Sequence, residues 1–330
     1  MKSFIELTIF QFQKLKQFKM NIYCAGTEHY INQIDRIREG FIDLGCIITN
    51  IENADIIYCN DQSSYDPNFR KKNPEAKIIY NVLDLPPHSM DGSKYDISRY
   101  AYIDNWHGRD FDPLDLKRQL GDCDLITCIC KEVQWQILNW CGLESSVIYN
   151  PIKEVSYLNL DDKDKIKNQN GENYKYLYVG RANDPNKRFN IVAETLIKLG
   201  DPVQSLAVVG SENPRFGDYY GIVSDEILNI FYNSVEYLFF PSAFKSVGLP
   251  ALESIVTKTK TIVCDDDPTS EEFWSGISVP SCPDKIAASI NNPVWNKNCK
   301  DFVDKYSDQY KHNFSKVSVA GNILSEYHKL

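Results

Sequence analysis

Short apolar runs alternate with longer segments in which apolar residues recur every three or four positions. The first run, MNIYCAG, starts at Met20 and ends at Gly26, and residues 30–44 then have the spacing of an amphipathic helix. Comparable apolar runs occupy residues 46–50, 54–60, 77–84, 124–130 and 145–151. Strands that are apolar along their whole length are buried on both faces, so the pattern predicts a parallel sheet covered by helices.

A polar stretch at residues 159–173 interrupts this alternation, and its composition cannot bury a core. The pattern then restarts, with apolar runs at 174–180, 205–210, 235–241 and 261–267. Gly200 is expected to end a helix over 189–199, and Ser224 to cap a helix over 225–234. The chain therefore reads as α/β, with two doubly wound Rossmann-like domains facing across a cleft and ligands at the carboxyl ends of the strands.

We expect an N-terminal domain at 20–152, a linker or loop at 153–173 and a C-terminal domain at 174–300. Residues 301–330 form a helical region that we expect to pack back on the N-terminal domain. Residues 1–19 are rich in phenylalanine but fit neither a signal peptide nor a membrane span. Three interpretations of them stay open: an amphipathic helix on a membrane surface, a packed arm, or an upstream extension.

The net charge of -9 argues against a broad nucleic-acid surface, which needs an excess of lysine and arginine. The ten cysteines include no C-x-x-C pair, and their spacings fit no common zinc site. We interpret them as small buried hydrophobic residues in a reducing cytosol, in preference to metal ligands or disulfides. The expected location is the cytoplasm, with peripheral membrane contact through residues 1–19 as the open alternative.

Two segments have the residues that an anion site needs. In FFPSAFKSVGLPALE (239–253), Pro250 is expected to open a helix with Glu253 in its first turn. The free N–H groups and the positive dipole at a helix start favour a phosphate. In YVGRANDPNKRFN (178–190), Arg181 and Lys187 follow a strand and can hold the same diphosphate from two sides. The alternatives are an ordinary proline cap and solvated loop charges.

The order of these motifs resembles the donor-binding domain of GT-B glycosyltransferases, most closely the retaining enzymes of glycosyltransferase family 4. The resemblance covers residues 175–275 and, more loosely, 124–152. It implies a hexosyl or related transferase that moves a sugar from a UDP- or GDP-sugar to a glycan or other hydroxyl acceptor, with retained anomeric configuration. It also implies no metal and no cofactor, because the nucleotide-sugar is a substrate.

The resemblance gives several residues a role in donor binding. It places Arg181 and Lys187 on the diphosphate, the backbone of Val247, Gly248 and Leu249 on the same phosphates, Glu253 on the ribose, Val223 beside the base and Gly26 close to the phosphates. One position departs from the family, because Lys245 stands where a glutamate usually contacts the transferred sugar. Lys245 could pair with an acidic sugar or with the diphosphate, or it could mark weakened activity.

The first domain supplies the remaining candidates. Asp84 and His88, near a predicted strand end, are candidate catalytic groups together with Lys245, although Asp84 could equally cap a turn and His88 could lie in an exposed loop. The loop YIDNWHGRD offers acceptor-side candidates that could grip a sugar, or could simply pack a tryptophan: Asp104, Trp106, His107 and Arg109.

Two other functions are alternatives to sugar transfer. A non-catalytic module that binds nucleotide-sugars on the same fold is the alternative that Lys245 motivates. An NAD(H) oxidoreductase lacks support, because no predicted strand is followed by G-x-G-x-x-G.

Overall fold

The computed structural model describes residues 19–26, 31–61, 64–83, 85, 113–243, 247–267 and 269–330. These residues form two compact units, each with its own parallel sheet. The described part of the first unit lies within residues 19–85, 113–151 and 313–330, and the second unit contains residues 152–312.

In the first unit, the described strands are β1 (Asn21–Ala25), β2 (Ile47–Ile48), β3 (Ile56–Cys59), β4 (Lys77–Val82), β5 (Leu125–Cys128) and β6 (Ser146–Val147). They are parallel throughout and lie in the order β2-β1-β3-β4-β5-β6. The described α-helices before residue 152 are α1 (Ile31–Asp43), α2 (Phe69–Lys72), α3 (Pro113–Gly121) and α4 (Lys131–Cys141).

The core of the first unit follows from the helical spacing in α1. Ile34, Ile37 and Phe41 recur every three or four positions, and all three are buried in one cluster with residues of β1 and β3. The ring of Phe41 meets the ring of Tyr58 edge to face, with 5.9 Å between the centroids. This packing fixes α1 over the first half of the sheet.

The second unit repeats the plan. Its described strands are β7 (Tyr176–Val179), β8 (Leu206–Val209), β9 (Asp218–Tyr219), β10 (Tyr237–Phe240) and β11 (Lys260–Val263), in the parallel order β11-β10-β7-β8-β9. The α-helices among its described residues are α5 (Phe189–Leu199), α6 (Asp225–Ser234), α7 (Leu249–Val256), α8 (Ser270–Phe273), α9 (Pro283–Ile290) and α10 (Pro293–Asn313), which ends at the unit boundary. The prediction of two α/β halves with parallel sheets is confirmed.

Two predicted helix ends are also confirmed. Gly200 follows α5 in the left-handed conformation, with φ of 70°. The Ser224 side chain accepts a hydrogen bond from the Ile227 N–H at the start of α6.

Residues 152–158, which we call the strap, run along α6 and are bound to it. The Ser156 N–H donates to the Asn229 side chain over 3.1 Å, and the Leu158 N–H donates to the Asn233 side chain over 2.7 Å. Asn229 and Asn233 are four residues apart and therefore share one face of the helix. The strap is part of the second unit, although the sequence analysis assigns residue 152 to the N-terminal domain and residues 153–158 to a linker or loop.

The last helix, α11 (Lys316–Tyr327), belongs to the first unit. Val319, Ile323 and neighbouring residues of α11 are buried in the same cluster as α1. The two helices approach closely because Gly40 of α1 has no side chain: a Cβ there would lie 2.3 Å from the Lys316 carbonyl oxygen. Residues 301–312, by contrast, belong to the second unit.

Across the described ranges, no helix has both the length and the apolar content that a membrane crossing requires. Residues 1–18 lie outside the described residues, so the three interpretations of the N-terminal segment stay predictions.

Candidate functional site

The second sheet has one switch point, where the chain order reverses. β7 is the first strand of this unit, and it lies between β8 and β10. In doubly wound sheets, ligands bind beyond the carboxyl ends of the strands at this point. The loops after β7 and β10 contain Arg181, Lys187 and Gly248, so these three predicted residues follow the two strands that form the switch point.

Two glycines bring the strand ends of β7 and β8 close together. The Gly180 N–H donates to the Val209 carbonyl over 3.0 Å. A Cβ at Gly210 would lie only 1.9 Å from the Gly180 carbonyl oxygen, so no other residue fits there without a backbone shift. Because Gly180 directly precedes Arg181, this contact fixes the position of the Arg181 backbone relative to the end of β8.

Arg181 and Lys187 lie at the two ends of a tight turn. The Arg181 Nη2 donates to Asp184 Oδ2 over 2.7 Å, and the other Asp184 oxygen accepts from the Asn186 N–H over 2.9 Å. The Arg181 side chain is 53% exposed. Lys187 is half-buried, with its Nζ 5.9 Å from the centroid of the Phe240 ring at the end of β10. The turn thus places one cation in solvent and the other against the neighbouring strand.

The third cation of this segment, Arg188, is used inside the protein. Its guanidinium pairs with the Asp266 carboxylate at 2.9 Å, and both side chains are largely buried. The Ser281 hydroxyl donates to the same carboxylate over 2.8 Å. Arg188 also has a left-handed backbone, with φ of 48°, between the turn and α5. Arg188 is therefore held in an internal ion pair that ties the turn to Asp266.

The loop after β10 is joined to the turn after β7. The Ala243 N–H donates to the Asn186 carbonyl over 2.9 Å. Further along, Val247 is buried and Gly248 is left-handed, with φ of 74°. The helix α7 then begins at Leu249, one residue earlier than Pro250, because the glycine makes the turn. Its start therefore follows β10 at the switch-point edge.

Glu253 lies at the fifth helical position of α7, just beyond the first turn where the sequence analysis places it. Its side chain is only 2% exposed. Oε2 accepts from the Tyr232 hydroxyl over 2.8 Å, and Oε1 accepts from the Lys153 N–H over 3.4 Å. Burial and the Glu253 charge hold the pKa of Tyr232 well above its usual value, so its hydroxyl stays a donor. The carboxylate is thus oriented by α6 and by the strap.

Val223 is half-buried and directly precedes the Ser224 cap. The residues before it are exposed: Ile222 is 81% exposed and Tyr220 is 40% exposed. The Tyr220 hydroxyl shares a hydrogen bond of 2.7 Å with the Tyr174 hydroxyl, which fixes its ring. An apolar and aromatic surface therefore stands at the start of α6, where the resemblance places the nucleotide base.

The first sheet also has a switch point, between β1 and β3. Gly26 follows β1 and is exposed, and a Cβ there would lie 3.0 Å from the Ile34 side chain. Asn60 follows β3, and its N–H donates to the Ala25 carbonyl over 3.3 Å. Asn60 is fully buried, yet neither its Nδ2 nor its Oδ1 has a hydrogen-bond partner among the residues that the structure describes. Sequence reasoning did not select Asn60.

Seven predicted site residues lie outside the described residues, so their roles stay predictions: Asp84, His88, Asp104, Trp106, His107, Arg109 and Lys245.

All ten cysteines are reduced thiols outside any disulfide, eight of them buried and two half-buried. Burial raises the pKa of Cys24 to about 12, which keeps it protonated and unreactive. The interpretation of the cysteines as small core residues is confirmed for the buried eight. Within the described ranges, no cluster of three or more histidine, cysteine, aspartate or glutamate side chains could hold a metal ion.

The sequence analysis did not select three residues that contact predicted site segments at the carboxyl edge of the second sheet: Asp184, Tyr232 and Asp266. Asp184 had a local signal, since an aspartate before a proline favours a turn. Tyr232 and Asp266 had none, because their partners are 21 and 78 residues away in the chain.

No protein-family model matches the chain, and no curated protein matches it in sequence. Solved structures do match in fold. Sucrose-phosphate synthase from Thermosynechococcus elongatus is similar with a TM-score of 0.65 and 12% identity, over 94% of this chain and 99% of that one. A glycosyltransferase from Rickettsia africae ESF-5 gives a TM-score of 0.61 and 13% identity, over 94% and 98%.

TarM from S. aureus, in a complex that contains UDP, matches over 82% of this chain and 54% of its own length. The TM-score is 0.56 and the identity 15%. At these identities the likeness establishes the fold, which is the GT-B fold with two Rossmann-like domains.

Proposed function

We propose that this chain is a glycosyltransferase that moves a sugar from a UDP- or GDP-sugar to a hydroxyl group of a glycan or other acceptor. The observation that carries the proposal is the placement of Arg181, Lys187 and the start of α7 in the loops after the two switch-point strands. Cations and helix N–H groups at such an edge favour a diphosphate. The GT-B fold, and the UDP in the TarM complex, support a nucleotide-sugar as the donor.

The chemistry follows from the charges. When the bond between the anomeric carbon and the β-phosphate oxygen breaks, negative charge grows on the departing nucleoside diphosphate. Arg181 and Lys187 would stabilise that charge, together with the N–H groups of Gly248 and Leu249. Retention of configuration and independence of metal ions rest on the resemblance to family 4.

In this proposal the ribose lies over the carboxylate of Glu253, which Tyr232 and the Lys153 N–H orient, and the base lies beside Val223. The resemblance to family 4 also gives Gly26 a role close to the phosphates. The candidates for the transferred sugar and the acceptor remain Lys245, Asp84 and His88, with the loop residues Asp104, Trp106, His107 and Arg109.

The test measures UDP and GDP binding by calorimetry and turnover against a panel of UDP- and GDP-sugars. Arg181→Ala should weaken binding of the nucleoside diphosphate about tenfold to a hundredfold, because it removes one charge-assisted contact. Arg118 offers a matched control: it is exposed and pairs with Asp115 three residues away, as Arg181 pairs with Asp184. Equal affinity and turnover in Arg181→Ala and Arg118→Ala would refute the proposal.

The second candidate is a module that binds nucleotide-sugars without transferring sugar, and Lys245 at the usual glutamate position favours it. Tight binding of UDP or GDP that depends on Arg181, with no turnover for any donor and acceptor tried, would support this candidate. Turnover that Lys245→Glu raises or lowers would instead place Lys245 in an active site.

A further inference from the structure

Asp184 holds the more exposed of the two candidate diphosphate cations. Its Oδ2 accepts from Arg181 Nη2 over 2.7 Å, while its Oδ1 accepts from the Asn186 N–H over 2.9 Å. The second bond fixes the carboxylate in the turn, because it closes the start of the short helical turn Pro185–Lys187. The aspartate is only 20% exposed and the arginine is 53% exposed. The fixed partner of the pair is therefore the anion.

A second carboxylate adds to the negative charge around this strand end. Glu212 Oε2 accepts from the Asn183 N–H over 2.7 Å. Asp184 and Glu212 both contribute, after burial, to raising the pKa of the Tyr178 hydroxyl, so both lie within electrostatic reach of the end of β7. A diphosphate that binds Arg181 enters a region where two carboxylates oppose it.

We infer that Asp184 is a built-in counter-ion that competes with the diphosphate for Arg181. The inference rests on the proposed function, since it needs a diphosphate at this edge. When the diphosphate binds, the guanidinium turns from Asp184 to the phosphate, and the carboxylate repels the bound anion. When the nucleoside diphosphate leaves, the ion pair between Arg181 and Asp184 forms again. Asp184 thus lowers affinity for the product and speeds its release, a step that limits turnover in many enzymes.

The geometry separates this role from that of a turn cap. The two functions use different oxygens, Oδ1 for the Asn186 N–H and Oδ2 for Arg181. Asparagine caps as well as aspartate does, through the same Oδ1, but has no charge. Asp184→Asn therefore keeps the turn and removes only the counter-ion, which makes it the informative variant.

The experiment measures the dissociation constant and the dissociation rate of UDP and GDP for five proteins: wild type, Asp184→Asn, Arg181→Ala, the double variant and Asp115→Asn. Asp184→Asn should bind the preferred diphosphate about threefold to tenfold more tightly, because Arg181 no longer has to break its charge-assisted hydrogen bond to Asp184 before it binds the phosphate. The gain should appear mainly as slower dissociation and should shrink as salt is raised. Uridine or guanosine, which lack phosphate, should show no gain.

Two controls give the inference its specificity. Asp115→Asn removes the acidic partner of an equivalent exposed arginine pair on α3 and should leave the affinity unchanged. In the Arg181→Ala background, Asp184→Asn should raise the affinity for the diphosphate much less than in wild type, because there is no longer an Arg181 side chain for which Asp184 and the phosphate compete. Thermal unfolding of each variant checks that the turn is intact.

The possible failures are distinguishable. If Arg181→Ala weakens binding but Asp184→Asn leaves it unchanged or weakens it too, Asp184 presents Arg181 to the ligand and the inference is wrong, while the proposed function stands. If wild type binds neither UDP nor GDP, the proposed function falls and the inference falls with it. An equal gain in the wild-type and Arg181→Ala backgrounds would show a general charge effect and would also overturn the competition.

Discussion

The contact between Gly180 and Gly210 makes the sharpest prediction about the site. A Cβ at Gly210 would lie 1.9 Å from the Gly180 carbonyl oxygen, whereas real Cβ contacts essentially never come closer than 3.0 Å. Gly210→Ala must therefore separate the two backbones by the difference, about 1.1 Å. Gly210 cannot simply retreat, because its N–H donates to the Gly221 carbonyl and its own carbonyl accepts from the Tyr219 hydroxyl, each over 2.9 Å.

The size of the effect follows from that displacement. Forcing a methyl group into a packed site costs about 1–3 kcal/mol, which in a unit of this size lowers the midpoint of thermal unfolding by roughly 2–12 °C. Because Gly180 precedes Arg181, the shift also moves the candidate phosphate cation. A misplacement of about 1 Å in a binding group can reduce a catalytic rate about a hundredfold. We therefore expect Gly210→Ala to reduce turnover strongly while it lowers the thermal unfolding midpoint by only a few degrees.

The assay compares thermal unfolding, UDP or GDP affinity and turnover in wild type, Gly210→Ala and Gly121→Ala. Gly121 is the matched control, because a Cβ there meets nothing within 4 Å at the end of α3. Its replacement by alanine should be neutral or slightly stabilising. If Gly210→Ala unfolds and binds like Gly121→Ala, the close approach of the two strand ends is not as described and the reasoning is wrong.

Three further variants test packing, orientation and capping. Gly40→Ala should lower the free energy of unfolding of the first unit by about 1–3 kcal/mol, because its Cβ would lie 2.3 Å from the Lys316 carbonyl oxygen. Urea unfolding measures this, and an unchanged urea midpoint would contradict it. Tyr232→Phe removes only the hydroxyl that donates to Glu253, so the affinity ratio of UDP to its 2′-deoxy analogue should fall about twofold to tenfold; a constant ratio would mean that Glu253 does not hold the ribose. Ser224→Ala should cost about 1 kcal/mol in thermal unfolding, and no loss would show that the cap of α6 is unimportant.

The sequence predicted those features that depend on neighbouring residues. The inner strands β3, β4, β8 and β10 are largely apolar and almost fully buried, and burial on both faces favours that composition. The ends of α5 and α6 were predicted from Gly200 and Ser224, because a left-handed glycine and a capping hydroxyl act within a few residues. The position of Arg181 and Lys187 directly after a strand was also predicted, since it needs only the order of elements along the chain. That this strand forms the switch point depends on the strand order within the sheet, which the sequence analysis did not predict.

Other features depend on contacts between residues that are distant in the chain, and local patterns do not contain them. The two-residue strand β9 (Asp218–Tyr219) has too few apolar positions to show a period. Arg188 directly follows Lys187 in the sequence, and only the fold brings Asp266 to it. Glu253 was expected to face a ligand at a helix start, but the fold also surrounds it with Tyr232 and the strap.

The return of α11 to the first unit has a consequence for biosynthesis. Residues 19–151 leave the ribosome long before Val319 and Ile323, which are buried in the same core as α1. The first unit therefore cannot close its core until the second unit has been synthesised and the final helix has emerged. A nascent chain arrested after residue 312 would leave the part of this core that α11 covers exposed, and that apolar surface is then available to a chaperone.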